Sequence, residues 1–403
     1  MTDRYNPNYR WYILTLGALT HLFVCAMPFI CMPVLFSEIA AELGLDLVQI
    51  GTIWGTGAVA GIVTSLLGGL ISDRYGTKRA LSVACLLMAT TGALRGLANS
   101  FSSLLMAMFF FGFLFSTISL TVHKTAGEWF SGRHLGIANG ILSAGMAVGA
   151  TLSSMISATV LSPLLGSWRY VLFLYGAISA IISLLWFLSR PKSGQTETTG
   201  PIATVPLRQA LSRVAHIRDV WLIGLVTMFY WGCTHGMTGY LPLYLRDSGW
   251  TPSSADGALA AFSAAGMVAA VPLSFLSDRL GTRKAIIILA LVISIVGTGL
   301  LSIVDGAFVW PLVIMVGIFR DGFMAVLITM VIETDKIGAV YAGTAVGLAY
   351  SLGSLGDFLG PPLGNSLADI NAGLPFTLWA ALAAAALLIF LFVRETSRRK
   401  IYP

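Results

Sequence analysis

The stretch VGIFRDGFMAV, residues 316–326, sets Arg320 beside Asp321 in the middle of an apolar run. An arginine grips oxyanions with a planar fork that stays protonated, and an aspartate can carry a proton. An ionisable group in an apolar layer costs about 2.5–3.5 kcal/mol on insertion scales, so it needs a partner or a water-filled path. Three roles stand open for the pair. Arg320 binds a substrate carboxylate or other oxyanion while Asp321 carries a coupling proton; or both are structural, each paired with a neighbouring helix; or Asp321 is the proton or cation site and Arg320 only eases its ionisation. Consecutive helical residues point about 100° apart, which disfavours a face-on bridge between the two.

Other polar residues sit in apolar surroundings. Asp357, in SLGDFLGPPLG, is a second candidate proton carrier or a partner for Arg320. His21 and His235 also fall within apolar runs, and an imidazole titrates near neutral pH. The stretch FYWGCTHGMTGY, residues 229–240, adds Tyr230, Trp231 and Tyr240 around His235, a composition suited to a gate or pocket wall. The candidate substrate contacts are thus Arg320, His21, His235, Tyr230 and Trp231, and the candidate proton carriers Asp321 and Asp357. The plainer alternative for each histidine is a hydrogen-bonded packing residue, and for the aromatics a belt at the membrane interface. Arg95, near one end of its run, is expected to snorkel towards water. No HExxH, GxSxG, P-loop or paired His/Cys ligand spacing occurs, so neither a membrane-embedded enzyme nor an ATP-driven pump is indicated and no cofactor or metal is expected. Cys25, Cys31, Cys85 and Cys233 lie in apolar runs without CxxC spacing and read as small buried residues.

The elements that must position these residues are set by a lipid solvent. Of 403 residues, 56% are hydrophobic and only 10% charged, with a mean hydropathy of +0.83. A run of about 20 apolar residues crosses roughly 30 Å of hydrocarbon, and such runs fall at 11–35, 48–71, 80–99, 103–127, 135–161, 169–190, 220–244, 254–276, 285–304, 308–332, 339–364 and 372–393. The expected fold is an all-α membrane protein with twelve transmembrane helices. The first run has no small-residue cleavage site and reads as a span, not a signal peptide. With the N-terminus inside, cytoplasmic links carry 19 of the 24 Lys and Arg, and outer links only Arg169 and Arg246. The positive-inside rule then places both termini in the cytoplasm, and it accounts for the net charge of +6 without nucleic acid. A polar linker at 191–218 divides an N-terminal bundle, 1–190, from a C-terminal one, 219–403; its LRQALSRVAHIR end suits a helix lying on the membrane surface.

The chain also repeats itself. GGLISDRYGTKRA follows the second span and SFLSDRLGTRKA the eighth, with Asp73 and Asp278, Arg74 and Arg279, and Gly76 and Gly281 each 205 residues apart. The same offset relates Glu128 to Glu333. Two similarly oriented six-helix bundles are the natural reading. These loops resemble the signature between helices 2 and 3 of the major facilitator superfamily and its echo between helices 8 and 9. The resemblance implies a secondary transporter in the cell (inner) membrane, monomeric, working by alternating access around a site near mid-membrane. It further implies that Asp73, Arg74, Glu128, Asp278, Arg279 and Glu333 form an inner gate. Within it, the charges favour a proton-coupled carrier of a small organic anion, a carboxylate; an inorganic anion such as nitrate or nitrite, or a drug exchanged for protons, are the alternatives. The segment 205 residues before 316–326 carries no charge. Arg320 and Asp321 are therefore an addition to one half, not a requirement of the scaffold.

Overall fold

A computed structural model describes residues 8–190, 207–280, 282–334 and 337–395; the side chains of 62–75 and of several residues in the second half, Asp278 among them, lie outside the description. Backbone polar groups in hydrocarbon must bond within their own segment, so apolar runs of this length become helices. Among the described residues there is no strand. The helices of the first half are α1 (Tyr9–Leu19), α2 (Met27–Leu43), α3 (Leu47–Tyr75), α4 (Thr77–Gly96), α5 (Phe101–Trp129), α6 (Arg133–Ile156), α7 (Ser162–Leu165) and α8 (Trp168–Leu188). A π-helical segment, Thr20–Ala26, joins α1 to α2, and another, Ser157–Leu161, joins α6 to α7. After them come α9 (Leu207–Ala215), α10 (Arg218–Asp247), α11 (Pro252–Leu280), α12 (Arg283–Leu300), α13 (Val309–Glu333), α14 (Gly338–Asn365) and α15 (Leu374–Phe390). Among the described residues, six continuous helical stretches are long and apolar enough to cross a membrane: Tyr9–Leu43, Phe101–Trp129, His134–Leu165, Trp168–Leu188, Arg283–Leu300 and Gly306–Glu333.

Packing divides the chain into two compact units: Met1–Leu45 with Ala60–Thr198, and Asp46–Val59 with Thr199–Pro403. In the first, α4 packs along α5 and α8, and the π segment at Thr20–Ala26 against α6. Its core gathers Leu14, Cys85, Phe111, Ile118 and Trp186. In the second, α10 packs along α14 and α15, α11 along α13, and α12 against α13 and α15. Val226, Tyr230, Phe323, Met330 and Phe390 are buried there. The start of α3 belongs to the second unit because Gly51 and Gly55 let its backbone come close to α14: a methyl group at Gly51 would lie 2.8 Å from the Pro361–Pro362 peptide. Asn365 Nδ2 adds a 2.8 Å hydrogen bond to the Leu47 carbonyl.

The two motif loops make related bonds from neighbouring register positions, Thr77 corresponding to Thr282 and Lys78 to Arg283. Thr77 Oγ1 donates to Glu128 Oε2 at 2.7 Å, and Arg283 Nη2 donates to Glu333 Oε1 at 2.9 Å. Each motif loop thus ties the start of its following helix to a glutamate at the end of α5 or α13 in the same unit. Gly76 supplies the turn into α4 with φ of 77°, which L side chains rarely adopt. Of the expected gate, the side chains of Asp73, Arg74 and Asp278 lie outside the described residues, as does Gly281, and Arg279 is exposed.

Arg95 departs from expectation. It does not snorkel: it is fully buried, its Nη1 donates to the Pro28 carbonyl at 2.8 Å, and its guanidinium lies 3.9 Å from the Phe111 ring centroid. The wall of α2 and α5 closes over it, and a carbonyl plus a π face replace the water it was expected to reach.

Candidate functional site

Three charged residues of the second unit, Arg320, Asp321 and Asp357, lie within α13 and α14, and α11 packs along α13. Arg320 and Asp321 lie in the middle of α13 with side chains 41% and 35% exposed, unusual for charges so far from a helix end. Arg320 Nε stands 3.4 Å from Asp321 Oδ1. The expectation that adjacent residues would not face each other fails because the long arginine stem folds back; at that separation the contact is an ion pair, not a tight hydrogen bond. The guanidinium carbon lies 5.4 Å from the ring centroid of Phe262 on α11, within cation–π range.

Asp321 needs a gap in α11 to fit. A methyl group at Gly266 would stand 2.7 Å from Asp321 Oδ2, so only glycine leaves room for the carboxylate there. Arg320 also acts electrostatically on Asp357 of α14 and on His235 and Tyr230 of α10, so these residues share one electrostatic neighbourhood. With Asp321 ionised, the guanidinium already has an anionic partner. An incoming anion can take that place only if the carboxylate takes a proton or moves away. The arrangement is therefore suited to binding an oxyanion together with a proton.

The remaining candidates fall in different places. His235 lies under Trp54 of α3, the two rings stacked at 4.4 Å with 8° between planes. Trp54 Nε1 donates to the His235 carbonyl at 3.0 Å, and His235 Nε2 sits 3.4 Å from the Trp54 carbonyl, so the two residues clasp each other. Trp231 is half-buried, its Nε1 directed at Met324 Sδ at 2.9 Å and its ring edge-on to Tyr350 at 5.1 Å. Tyr230 corrects the expectation of a pocket wall: it is 1% exposed, stacked on Phe323 at 3.9 Å, and belongs to the core beneath Arg320. Burial of an apolar ring outweighs display of its hydroxyl there. His21 lies in the first unit, not with these residues. At 1% exposure, with Nδ1 3.1 Å from the Leu142 carbonyl, it offers no face to a ligand in this structure.

Sequence reasoning missed Phe262, Gly266 and Trp54. Each sits in an apolar run as one more apolar residue, and nothing in spacing or composition separates it from ordinary core. The internal repeat carries no signal for them either.

A family model described as Major Facilitator Superfamily matches residues 14–361 and 246–402. The chain is 25% identical to the 3-(3-hydroxy-phenyl)propionate transporter of Escherichia coli strain K12, over 89% of this chain and 88% of the relative. It is 26% identical to a probable nitrate/nitrite antiporter of Thermus thermophilus, over 90% and 86%, and 22% identical to the 4-hydroxybenzoate transporter of Pseudomonas aeruginosa, over 94% and 92%. In fold it is similar to a bacterial homolog of the human lysosomal transporter Spinster, with a TM-score of 0.77 at 16% identity, covering 96% of this chain and 95% of the other.

Proposed function

Because the chain belongs to the Major Facilitator Superfamily, whose members are transporters and not enzymes, we propose that this multi-pass membrane protein carries a small organic acid by alternating access with protons. The substrate class is a monocarboxylate with a ring. Arg320 binds the carboxylate, Phe262 lies against the guanidinium and offers a face to the ring, and Asp321 or Asp357 accepts the coupling proton. Twelve spans in two bundles, with both termini in the cytoplasm and the protein monomeric in the inner membrane, form the frame. Asp73, Arg74, Glu128, Asp278, Arg279 and Glu333 serve as its inner gate, and His235 with Trp54 and Trp231 shape the surroundings of the site.

The observation that carries this reading is the half-exposed Arg320–Asp321 ion pair at 3.4 Å, within electrostatic reach of Asp357. An arginine that can never lose its proton holds an anion at any working pH, while the two carboxylates can be neutralised one at a time. The names of the relatives, which include transporters of 4-hydroxybenzoate, cis,cis-muconate and gallate, support organic acids as cargo. The nitrate/nitrite relative favours a second reading in which the same arginine takes an inorganic anion.

The test is uptake by proteoliposomes of aromatic monocarboxylates, aliphatic monocarboxylates, dicarboxylates and nitrate, each with and without an inward proton gradient. Aromatic monocarboxylates should enter fastest and accumulate only with the gradient. Preference for nitrate would move the reading to the inorganic anion, and uptake indifferent to the gradient would remove the proton.

A further inference from the structure

The first unit holds a polar cluster that the Arg320 site does not use. His21 sits in the π-helical segment Thr20–Ala26, 1% exposed, with Nδ1 3.1 Å from the Leu142 carbonyl of α6. A carbonyl only accepts, so Nδ1 carries the hydrogen and, in the neutral ring, Nε2 is a bare acceptor. That buried Nε2 has no hydrogen-bond partner among the described residues, while the ring also neighbours the Ser119 carbonyl of α5. A buried acceptor left without a donor loses the hydrogen bond that water would give it. A proton on Nε2 turns the same nitrogen into a donor where α5 offers an acceptor.

A second imidazole stands beside it. His123 of α5 meets His21 edge-on with ring centroids 5.1 Å apart, and its Nδ1 lies 2.9 Å from Asn139 Oδ1 of α6. His123 is only half-buried, so of the two rings it is the one that reaches the protein surface. Both rings present their Nδ1 hydrogen to an oxygen, which leaves both Nε2 atoms as acceptors. Charging both at once would set like charges side by side in an apolar interior, so the pair is built to hold one extra proton, not two. Titratable groups on the helices packed round the segment include Arg10 on α1, Cys31, Glu38 and Glu42 on α2, Cys85 and Arg95 on α4, His123, Lys124 and Glu128 on α5, His134 on α6 and Tyr175 on α8; among the described residues His123 acts electrostatically on His21.

We propose that His21 and His123 form a proton-binding site of the transport cycle, separate from Asp321 and Asp357, that takes up one proton from one side of the membrane and releases it to the other. The proposal rests on the reading of the protein as a proton-coupled acid transporter. The proton adds to one Nε2, bonds no other atom covalently, and leaves by the same atom. The half-buried His123 is its entry and exit.

The experiment compares native protein with His21→Asn and His123→Gln in proteoliposomes, using the aromatic monocarboxylate that the native protein takes up best. Asparagine keeps a donor towards the Leu142 carbonyl and glutamine cannot be protonated. Two readouts are taken: accumulation driven by a proton gradient, and counterflow of labelled for unlabelled acid at equal pH, which needs no net proton movement. Both variants should lose gradient-driven accumulation by about tenfold or more while keeping counterflow within about threefold of native. Accumulation at native level in either variant overturns the proposal. So does loss of counterflow in both, which would make the pair a packing element. If native protein moves no carboxylate at all, it is the functional reading that fails, and that result is seen before any variant is made.

Discussion

Arg95 of the first unit and Arg320 of the second, both set within helices, show two opposite surroundings for the same side chain. Arg95 is sealed: fully buried, against the Phe111 ring at 3.9 Å and the Pro28 carbonyl at 2.8 Å, with no carboxylate bonded to it among the described residues. Arg320 is open: 41% exposed, over Phe262 at 5.4 Å, with Asp321 at 3.4 Å and Asp357 within its field. Both lie near an aromatic face, so the π contact does not distinguish them. What distinguishes them is access and acidic company. The open charge with acidic company is the one proposed to bind the anion. A charge enclosed by ring and carbonyl is part of the packing.

That contrast can be broken or sharpened by substitution. The largest effect after Arg320 itself is expected at Asp357. Asp357→Asn removes one of the two acids that compete for the guanidinium, so gradient-driven accumulation should fall by about tenfold or more while binding of the acid is kept or tightened. A variant that still accumulates its substrate would place the coupling proton elsewhere. Next comes Gly266→Ala, whose methyl group intrudes on Asp321 Oδ2. Overpacking of this kind costs about 1–3 kcal/mol, so transport should drop by roughly tenfold with a measurable loss of thermal stability. An unchanged transport rate would show that the position of Asp321 is not critical.

Smaller effects are expected at the motif loops. Glu333→Gln weakens a partly exposed pair with Arg283, and the stability change read by thermal unfolding should stay within about 1 kcal/mol. The smallest effect on function is expected at Arg95→Met, which keeps the length of the side chain and removes the charge. Affinity for the acid should change by less than about twofold, whatever happens to stability. A large loss of affinity would mean that the first unit also holds the anion, and the contrast drawn above would fall.

Much of the fold was legible because hydropathy and charge write it directly. Runs of apolar residues gave the helices, and an offset of 205 residues gave the repeat, whose glutamates Glu128 and Glu333 each accept a bond from the first residue of the helix after a motif loop. Arg320, Asp321 and Asp357 stood out because a charge in an apolar run is conspicuous. The neighbours of those charges were not legible. Phe262, Gly266 and Trp54 look like every other apolar or small residue, and only helix rotation decides that they meet the site. Burial was not legible for the same reason: Arg95, Tyr230 and His21 are all buried, and that depends on which face of the helix they occupy rather than on their depth along it. The His21–His123 pairing is of this kind too, since one-dimensional spacing says nothing about two rings on helices 100 residues apart in sequence.

The central claim is that Arg320 holds the carboxylate, and equilibrium binding tests it without the complications of flux. The affinity of purified protein for the preferred aromatic monocarboxylate should fall by about 30-fold or more in Arg320→Gln, in line with about 2–5 kcal/mol for loss of one partner of a buried hydrogen-bonded charge pair. The uncharged amide analogue of the same acid should bind native and variant protein equally weakly. Binding of the carboxylate by Arg320→Gln at native affinity would contradict the account.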